Sequence, residues 1–294
     1  MKVLSTVIVL FLLVSSASSA TVKNVQAIYQ NGQVFITWDR LLPTRASYRY
    51  IVYRAQEPIL HGYQLPFTQN LGSVQHNSSE NVRMTSITGI TKYLRIDSSS
   101  VELDYTKGLF VSTTVNSGSY YYAVTTVDGL IEDTSIIMGS NALSSSVAES
   151  VAMPQPVWQD GWTIGQKKCL LYTQFVTGIT SSLYPLMTNV GSYPFNFAIL
   201  TSDGPSPHPI TFWFHPGGGN FLQTTEGLGV PNEWVVSIDD ELPNGSDIYT
   251  MYYGYAKTYD IFSSSNPVPI ADTLYNYTSA RIIHTIDWCV HNMP

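Results

Sequence analysis

The sequence predicts a two-part protein: an all-β sandwich over residues 21–150 and an α/β unit over 161–294, with 151–160 as linker. Three observations carry this prediction. Residues 22–151 show period-two apolar alternation in short runs broken by turn residues, the pattern of half-buried strands. Beyond residue 160 the apolar runs become nearly continuous, as in strands buried on both faces. The chain then closes on apolar residues Ile282, Ile286, Cys289 and Met293, spaced as one face of a helix.

The chain opens with a basic residue, Lys2, an apolar run over 3–14 and a small-residue stretch over 15–20. That order predicts a secretory signal peptide cleaved after Ala20, because the run is shorter than the roughly 20 residues a membrane span needs. Export makes a Cys169–Cys289 disulfide chemically open, but both cysteines sit in hydrophobic patterns that favour two buried thiols. Asn77, Asn244 and Asn276 head glycosylation acceptor triplets. With 14 basic against 21 acidic residues the net charge is −7, and no dense Lys/Arg run exists to hold nucleic acid.

In the first unit, Asn31-Gly32 is a hairpin turn ahead of a strand in which Val34, Ile36 and Trp38 alternate with Phe35 and Thr37. Further strands are expected at 48–54, 109–111 and 120–127, the last closed by Asp128-Gly129. No stretch before residue 151 sustains helical spacing, and His61 and His76 show no metal-ligand spacing. These elements resemble a fibronectin type III domain. Trp38 takes its second-strand tryptophan position, Tyr50-x-Val52-Tyr53-Arg54 its third strand, and Tyr120-x-Tyr122-x-Val124 its sixth, with Tyr120 as the tyrosine-corner residue. Asn141-Ala142 would lie on the last strand, and the surplus length would lie between about 57 and 100. The resemblance implies a spacing, orienting or binding module without chemistry.

In the second unit, strands are expected at 169–172, 195–200, 209–214 and 233–240. The third runs directly into His215-Pro216-Gly217-Gly218-Gly219. Triple glycine at a strand exit is either a plain turn or a loop whose amides approach a substrate closely, and the apolar strand ahead of it favours the second. Phosphate cradling is disfavoured, since no Lys-Ser/Thr follows and no G-x-G-x-x-G is present. The stretch resembles the HGGG-type oxyanion loop of α/β-hydrolase lipases and esterases, and the insertion over 242–270 resembles the cleft-bordering loops of secreted esterases related to polyhydroxyalkanoate depolymerases and feruloyl esterases. The resemblance implies an ester or polyester substrate, no cofactor and no metal. Oxyanion donors would come from Gly217, Gly218 or Gly219, because Pro216 lacks an N–H, and His215 would hold the loop. Asp239, Asp240, Tyr252 and Tyr253 are cleft-lining candidates, the tyrosines belonging to a Tyr-rich insertion over 242–270. The closing segment resembles the helix ahead of the nucleophile strand, with Asn276 or Thr278 as its cap. His284 and His291 on it are not expected to form a metal pair.

The nucleophile motif G-x-S-x-G occurs nowhere in the 294 residues. Asp203, Asp239, Asp240, His208 and His284 all precede the place where it would fall, whereas the family order is Ser, acid, His. The sequence is therefore expected to hold an incomplete hydrolase unit, inactive as it stands and lacking its triad. The sandwich leaves about 140 residues for a unit that usually needs roughly 200 or more. The rival expectation is a non-catalytic secreted binding or adhesion protein in which the glycines are a turn.

Overall fold

The computed structural model describes residues 21–293 except 100, 203, 205, 224–230, 245–247 and 269. The expected signal peptide (1–20), Asp203, and Gly245-Ser246 of the second acceptor triplet lie outside the described residues. The protein is mostly β, built from several antiparallel sheets with few helices.

Strands β1 (Lys23–Gln30), β2 (Gln33–Asp39) and β5 (Lys107–Thr113) form one antiparallel sheet in the order β1-β2-β5. A second is ordered β4-β3-β6-β7, from β3 (Tyr48–Ala55), β4 (Gln69–Gln75), β6 (Gly118–Asp128) and β7 (Ile131–Asp133), with β8 (Val147–Glu149) also on β6. Asn31 and Gly32 turn the β1–β2 hairpin with φ of 43° and 77°, the left-handed pair that the right-handed strand twist favours. The sheets pack face to face. Val34, Ile36 and Trp38 meet Tyr50, Val52, Tyr122 and Val124, with the Trp38 and Tyr50 rings edge-on at 5.2 Å.

The first sheet is buried on its other face too. Phe35, Leu109 and Val111 pack against Val157 and Phe175, and Gln33 Nε2 donates to the Phe175 carbonyl at 2.9 Å. Gly72 of β4 faces Gly191 so closely that a Cβ on Gly72 would lie 2.6 Å from the Gly191 Cα.

Three expectations are corrected. A helix does occur: α1 (Val82–Thr88) starts at Asn81, whose Oδ1 accepts from Met84 N at 3.2 Å, and stops at Gly89 with φ 69°. Its seven residues include Val, Ile and two Thr, too short and too β-branched for a helical period to register. Asn141-Ala142 forms isolated bridges rather than a strand, because the Asn141 amide bonds the Val124 and Ser135 carbonyls and holds a turn. Residues 157–160 are not linker but the start of β9 (Val157–Ile164), paired with β10 (Lys167–Val176). Asn244 is buried, its Nδ2 donating to Tyr259 Oη and the Ser263 carbonyl, so that amide is committed inside the fold.

The second half holds a five-stranded sheet ordered β12-β13-β11-β10-β9, adding β11 (Tyr193–Leu200), β12 (Ile210–Trp213) and β13 (Trp234–Ile238). Only β12 and β13 run parallel and every other pair is antiparallel. This corrects the expected α/β unit: the parallel sheet of an α/β-hydrolase is not evident among the described residues, because the successive strands β9, β10 and β11 pair as antiparallel neighbours rather than through helical crossovers. The 209–214 run, expected as a buried strand, is instead the edge strand β12, with Trp213 and Phe214 exposed. The sheet as a whole is still covered on both faces. One face, with Cys169, Leu171, Ala198 and Val235, packs against Met84 of α1 and against Phe221 and Leu222. The opposite face, with Phe197, Ile199, Val236 and Ile238, packs against α2 (Tyr277–Asn292) through Ile282 and Cys289, the face expected from the sequence. A small hairpin, β14 (Tyr255–Ala256) with β15 (Leu274–Tyr275), leads into α2.

Cys169 and Cys289 form no disulfide and are buried in apolar clusters on opposite faces of the sheet, the two buried thiols that their hydrophobic patterns favour. Burial pushes the Cys289 thiol up to about 12, which keeps it protonated and inert.

The join between halves includes a buried polar pair. Asn81 Nδ2 donates to Asn196 Oδ1 at 3.1 Å, and Asn196 Nδ2 returns to Asn81 Oδ1 at 2.8 Å, both side chains being buried. Asn81→Ala removes a helix cap and leaves the buried Asn196 Nδ2 without its acceptor, while Asn196 Oδ1 still accepts from Thr173. A loss of about 2–3 kcal/mol is expected, read as a lower urea midpoint with an unchanged slope.

Candidate functional site

Because β12 and β13 are parallel, the loops that follow them leave the same edge of the sheet. That edge, outside the carboxyl ends of parallel strands, is where open sheets bind ligands. The glycine loop occupies it. Gly219 N donates to the Pro216 carbonyl at 3.0 Å, and Gly218 has φ 78°, which makes 216–219 a tight turn with its left-handed position on glycine. Asn220 ends the loop as a cap: its Oδ1 accepts from Leu222 N and Gln223 N, and Gln223 Oε1 accepts from Asn220 N.

Both ends of the loop are anchored. Phe221 is buried on the α1 side, and His215 is buried between the rings of Tyr249 and Tyr252, with centroids at 5.6 and 5.5 Å. His215 Nε2 lies 3.3 Å from Asp240 Oδ1, and its Nδ1 lies 3.1 Å from the Pro216 carbonyl. Tyr252 Oη donates to the His215 carbonyl at 3.0 Å, Tyr249 Oη donates to the Gly219 carbonyl at 3.1 Å, and Tyr252 N donates to Asp240 Oδ2 at 3.0 Å. One clamp therefore ties the loop to the strand end. The amides of Gly219 and Asn220 are committed internally, whereas those of exposed Gly217 and Gly218 meet no acceptor among the described residues.

Asp239 and Asp240 are successive residues at the end of β13, so their side chains diverge. Asp240 faces the glycine loop. Asp239 faces α1, where Arg83 Nε lies 3.1 Å from both carboxylate oxygens and Arg83 Nη2 lies 2.6 Å from Glu241. Arg281 of α2 donates to the Asp239 main-chain oxygen at 2.6 Å, with its guanidinium 3.7 Å from the Phe195 ring centroid. Burial raises the Asp239 carboxyl above its ordinary range, and Arg83 and Arg281 oppose that rise. A cavity of about 230 Å³ opens on this side, lined by Val82, Arg83, Tyr193 and Glu241 among others.

The structure thus gathers His215, Pro216, Gly217, Gly218, Gly219, Asp240 and Tyr252 at one place. Asp239 serves a tether to α1 instead. Tyr253 also lies apart: its ring is exposed and its carbonyl accepts from Thr278 N and Ser279 N, docking the start of α2. Asn276 holds the cap position of that helix without a side-chain bond. Sequence reasoning passes over Tyr249, Arg83, Glu241 and Arg281. Arg83 is 156 residues from its partner and carries no local signal. Arg281 could have been found, because Tyr277, Arg281, His284 and Thr285 make a second buried stripe along α2.

The remaining histidines are apart from this site. His208 stacks on Trp234, and His291 Nδ1 faces the Asp287 carbonyl. His284 is buried on α2, its Nδ1 2.7 Å from Gln174 Nε2, its Nε2 3.2 Å from Met153 Sδ and its ring edge-on to Tyr184. Among the described residues no three His, Cys, Asp or Glu side chains gather as metal ligands would. No protein-family model, curated protein or solved structure matches the chain.

Burial lowers the His284 pKa to about 4, so the folded protein holds it neutral. Unfolding returns it to its ordinary value near 6.5, and between those values the unfolded chain binds the extra proton. Its contribution to stability is full above about pH 6.5 and is lost as pH falls toward 4. Thermal unfolding followed from about pH 7 to pH 4 is expected to show a smaller acid-induced drop for His284→Gln than for the unsubstituted chain.

Proposed function

We propose that residues 161–294 are the opening part of a carboxylic-ester hydrolase of the α/β-hydrolase kind. It carries the oxyanion loop but not the catalytic triad. Residues 21–150 form a fibronectin type III-like sandwich that presents it, and residues 1–20 direct export. The substrate class is an ester or polyester.

The observation that carries this reading is the anchored glycine loop with the Gly217 and Gly218 amides left open. Donors fixed before the reaction stabilise a developing oxyanion without reorganising, and such donors account for much of the barrier lowering in acyl transfer. Two features of the sheet support it. The parallel pair β12–β13 lies at the edge, and the outer side of β12 has no partner strand among the described residues. α2 covers one face of the sheet and is placed to serve as a crossover. On this reading the strand bearing G-x-S-x-G follows such a crossover and pairs in parallel with β12, which brings its serine beside Gly217. For the first unit, Tyr120 Oη donates to the Asn116 carbonyl at 3.4 Å, a bond of the tyrosine-corner kind.

The second reading, a non-catalytic binding protein, is favoured by one observation. The ring nitrogens of His215 face Asp240 and a main-chain carbonyl, so this histidine activates no nucleophile. A loop that binds an oxyanion without an activated serine does not run acyl transfer by the usual route.

The two readings separate on one experiment. The 294-residue chain and a version extended through the codons that follow in frame are treated with a fluorophosphonate probe and assayed on p-nitrophenyl butyrate. The extended chain is expected to label and turn over, and the 294-residue chain to do neither. In the extended chain, Gly217→Pro deletes one amide at a turn position that accepts proline, and kcat is expected to fall about 100-fold. An extension without G-x-S-x-G, or one that fails to label, favours the binding protein. Phosphonate-sensitive turnover by the 294-residue chain overturns the statement that it lacks a nucleophile.

A further inference from the structure

The first half carries a trough of about 430 Å³ unrelated to the glycine loop. One wall is the 3-10 helix Gly62–Phe67, which is fixed in place. Gln64 Oε1 accepts from Leu60 N at 2.7 Å and His61 N at 2.8 Å, and Leu65 is buried beneath. From this rigid turn two rings stand in solvent: Tyr63 is 73% exposed and Phe67 90% exposed, with His61 stacked on Tyr63 at 5.1 Å. Aromatic rings held this far out on an ordered turn mark a contact surface rather than a core.

The floor of the trough is polar. Arg54 is 3% exposed, sits 3.6 Å over the Tyr120 ring centroid, and lies 3.7 Å from Glu149, itself bonded by Tyr122 and Thr114. Arg54 Nε and Nη1 nonetheless donate to no acceptor among the described residues. Buried guanidinium donors without acceptors are rare, and Arg54 is among the residues that line the trough. The rim adds Gln56, Glu57 and Gln69.

From this arrangement we propose that the trough binds a neutral polysaccharide chain. The exposed rings of Tyr63 and Phe67 stack on the apolar C–H faces of sugar rings. The Gln56 and Gln69 carboxamides and the Glu57 carboxylate bond hydroxyls at the rim. Electrostatics select a neutral chain: Glu149 already balances Arg54, Glu57 stands at the rim, and the protein carries −7 overall. This site is independent of the hydrolase reading and stands whether or not the second half is catalytic.

The test uses the full chain in native gels containing hydroxyethylcellulose, xylan, glucomannan or laminarin, with polygalacturonate as the anionic control. Retardation by at least one neutral polysaccharide is expected, undiminished in about 0.5 M NaCl, where charge attraction is screened. Tyr63→Ala/Phe67→Ala is expected to weaken binding at least tenfold while keeping the unfolding midpoint, since both rings are exposed. Gln56→Ala/Gln69→Ala is expected to weaken it several-fold. No retardation by any neutral polysaccharide, unchanged binding by the double ring variant, or binding to polygalacturonate alone overturns the proposal. So does a dimer that the ring variant converts to monomer without any saccharide binding, because the rings would then serve a second copy of the chain.

Discussion

The five-stranded sheet of the second half has two apolar faces, and among the described residues its own segment of chain lays a long helix on one of them. α2 lies on the face of Phe197, Ile199 and Val236, while the opposite face takes its helix from the first half, through Met84 of α1. A sheet with an open apolar face does not stand in water, so the placement of α1 governs the rest of the fold. That placement is fixed by polar groups. Asn81 pairs with Asn196, and Arg83 pairs with Asp239 and Glu241, all inside the join. Removing charges from water offsets much of what a buried ion pair contributes, so the pairing adds little net stability. Its effect is on register: a shift of α1 by one residue would separate Asn81 from Asn196 and Arg83 from its two carboxylates, stranding polar groups in the interior.

The same join orders the candidate site. Arg83 and Arg281 hold Asp239 from one side, through its carboxylate and its main-chain oxygen. With that side chain committed, the alternation of the strand directs Asp240 toward the glycine loop, where it meets His215 and accepts from Tyr252 N. The loop is therefore positioned by contacts that run back to residue 83, across the whole thickness of the sheet. The first sheet is drawn into the same packing: β2 and β5 are buried on the sandwich side by Trp38 and Phe110 and on the other by Phe35 and Val111.

The parts of this fold legible in the sequence are those fixed by local periodicity. β2, β3, β6, β10, β11 and β13, the Asn31-Gly32 turn and the buried face of α2 all follow from patterns local in the chain. The errors arise where burial is set by distant chain. Phe35 alternates with Val34 and Ile36 and reads as solvent-facing, yet it is buried because Phe175 lies against it at 5.3 Å. The 209–214 run reads as a central strand because it is uniformly apolar, but hydrophobicity does not encode neighbours, and β12 lies at the edge. α1 is invisible to periodicity, though its cap residues Asn81 and Gly89 are the ordinary start and stop signals. At the site, His215 and the glycines are identifiable from adjacency alone, whereas the opposed directions of Asp239 and Asp240 follow only from knowing which strand they end.

The glycine loop shows how far preorganisation goes without the rest of a catalytic site. A free glycine turn would sample many conformations, and its amides would face an oxyanion only a fraction of the time. Here the turn is closed by the Gly219–Pro216 hydrogen bond, held above by the Tyr249 and Tyr252 hydroxyls and anchored by two buried side chains. Such restraint has an entropic cost that a plain connecting turn would not need to bear. It is matched by the environment, since Tyr252 also packs on Phe214 at 4.6 Å and shields the base of the loop. On the proposed reading, the Gly217 and Gly218 amides, which meet no acceptor among the described residues and lie beside a strand edge without a partner strand among them, would receive a carbonyl oxygen. That reading also needs a nucleophile, because stabilising an oxyanion lowers a barrier only when a nucleophile attacks to create one.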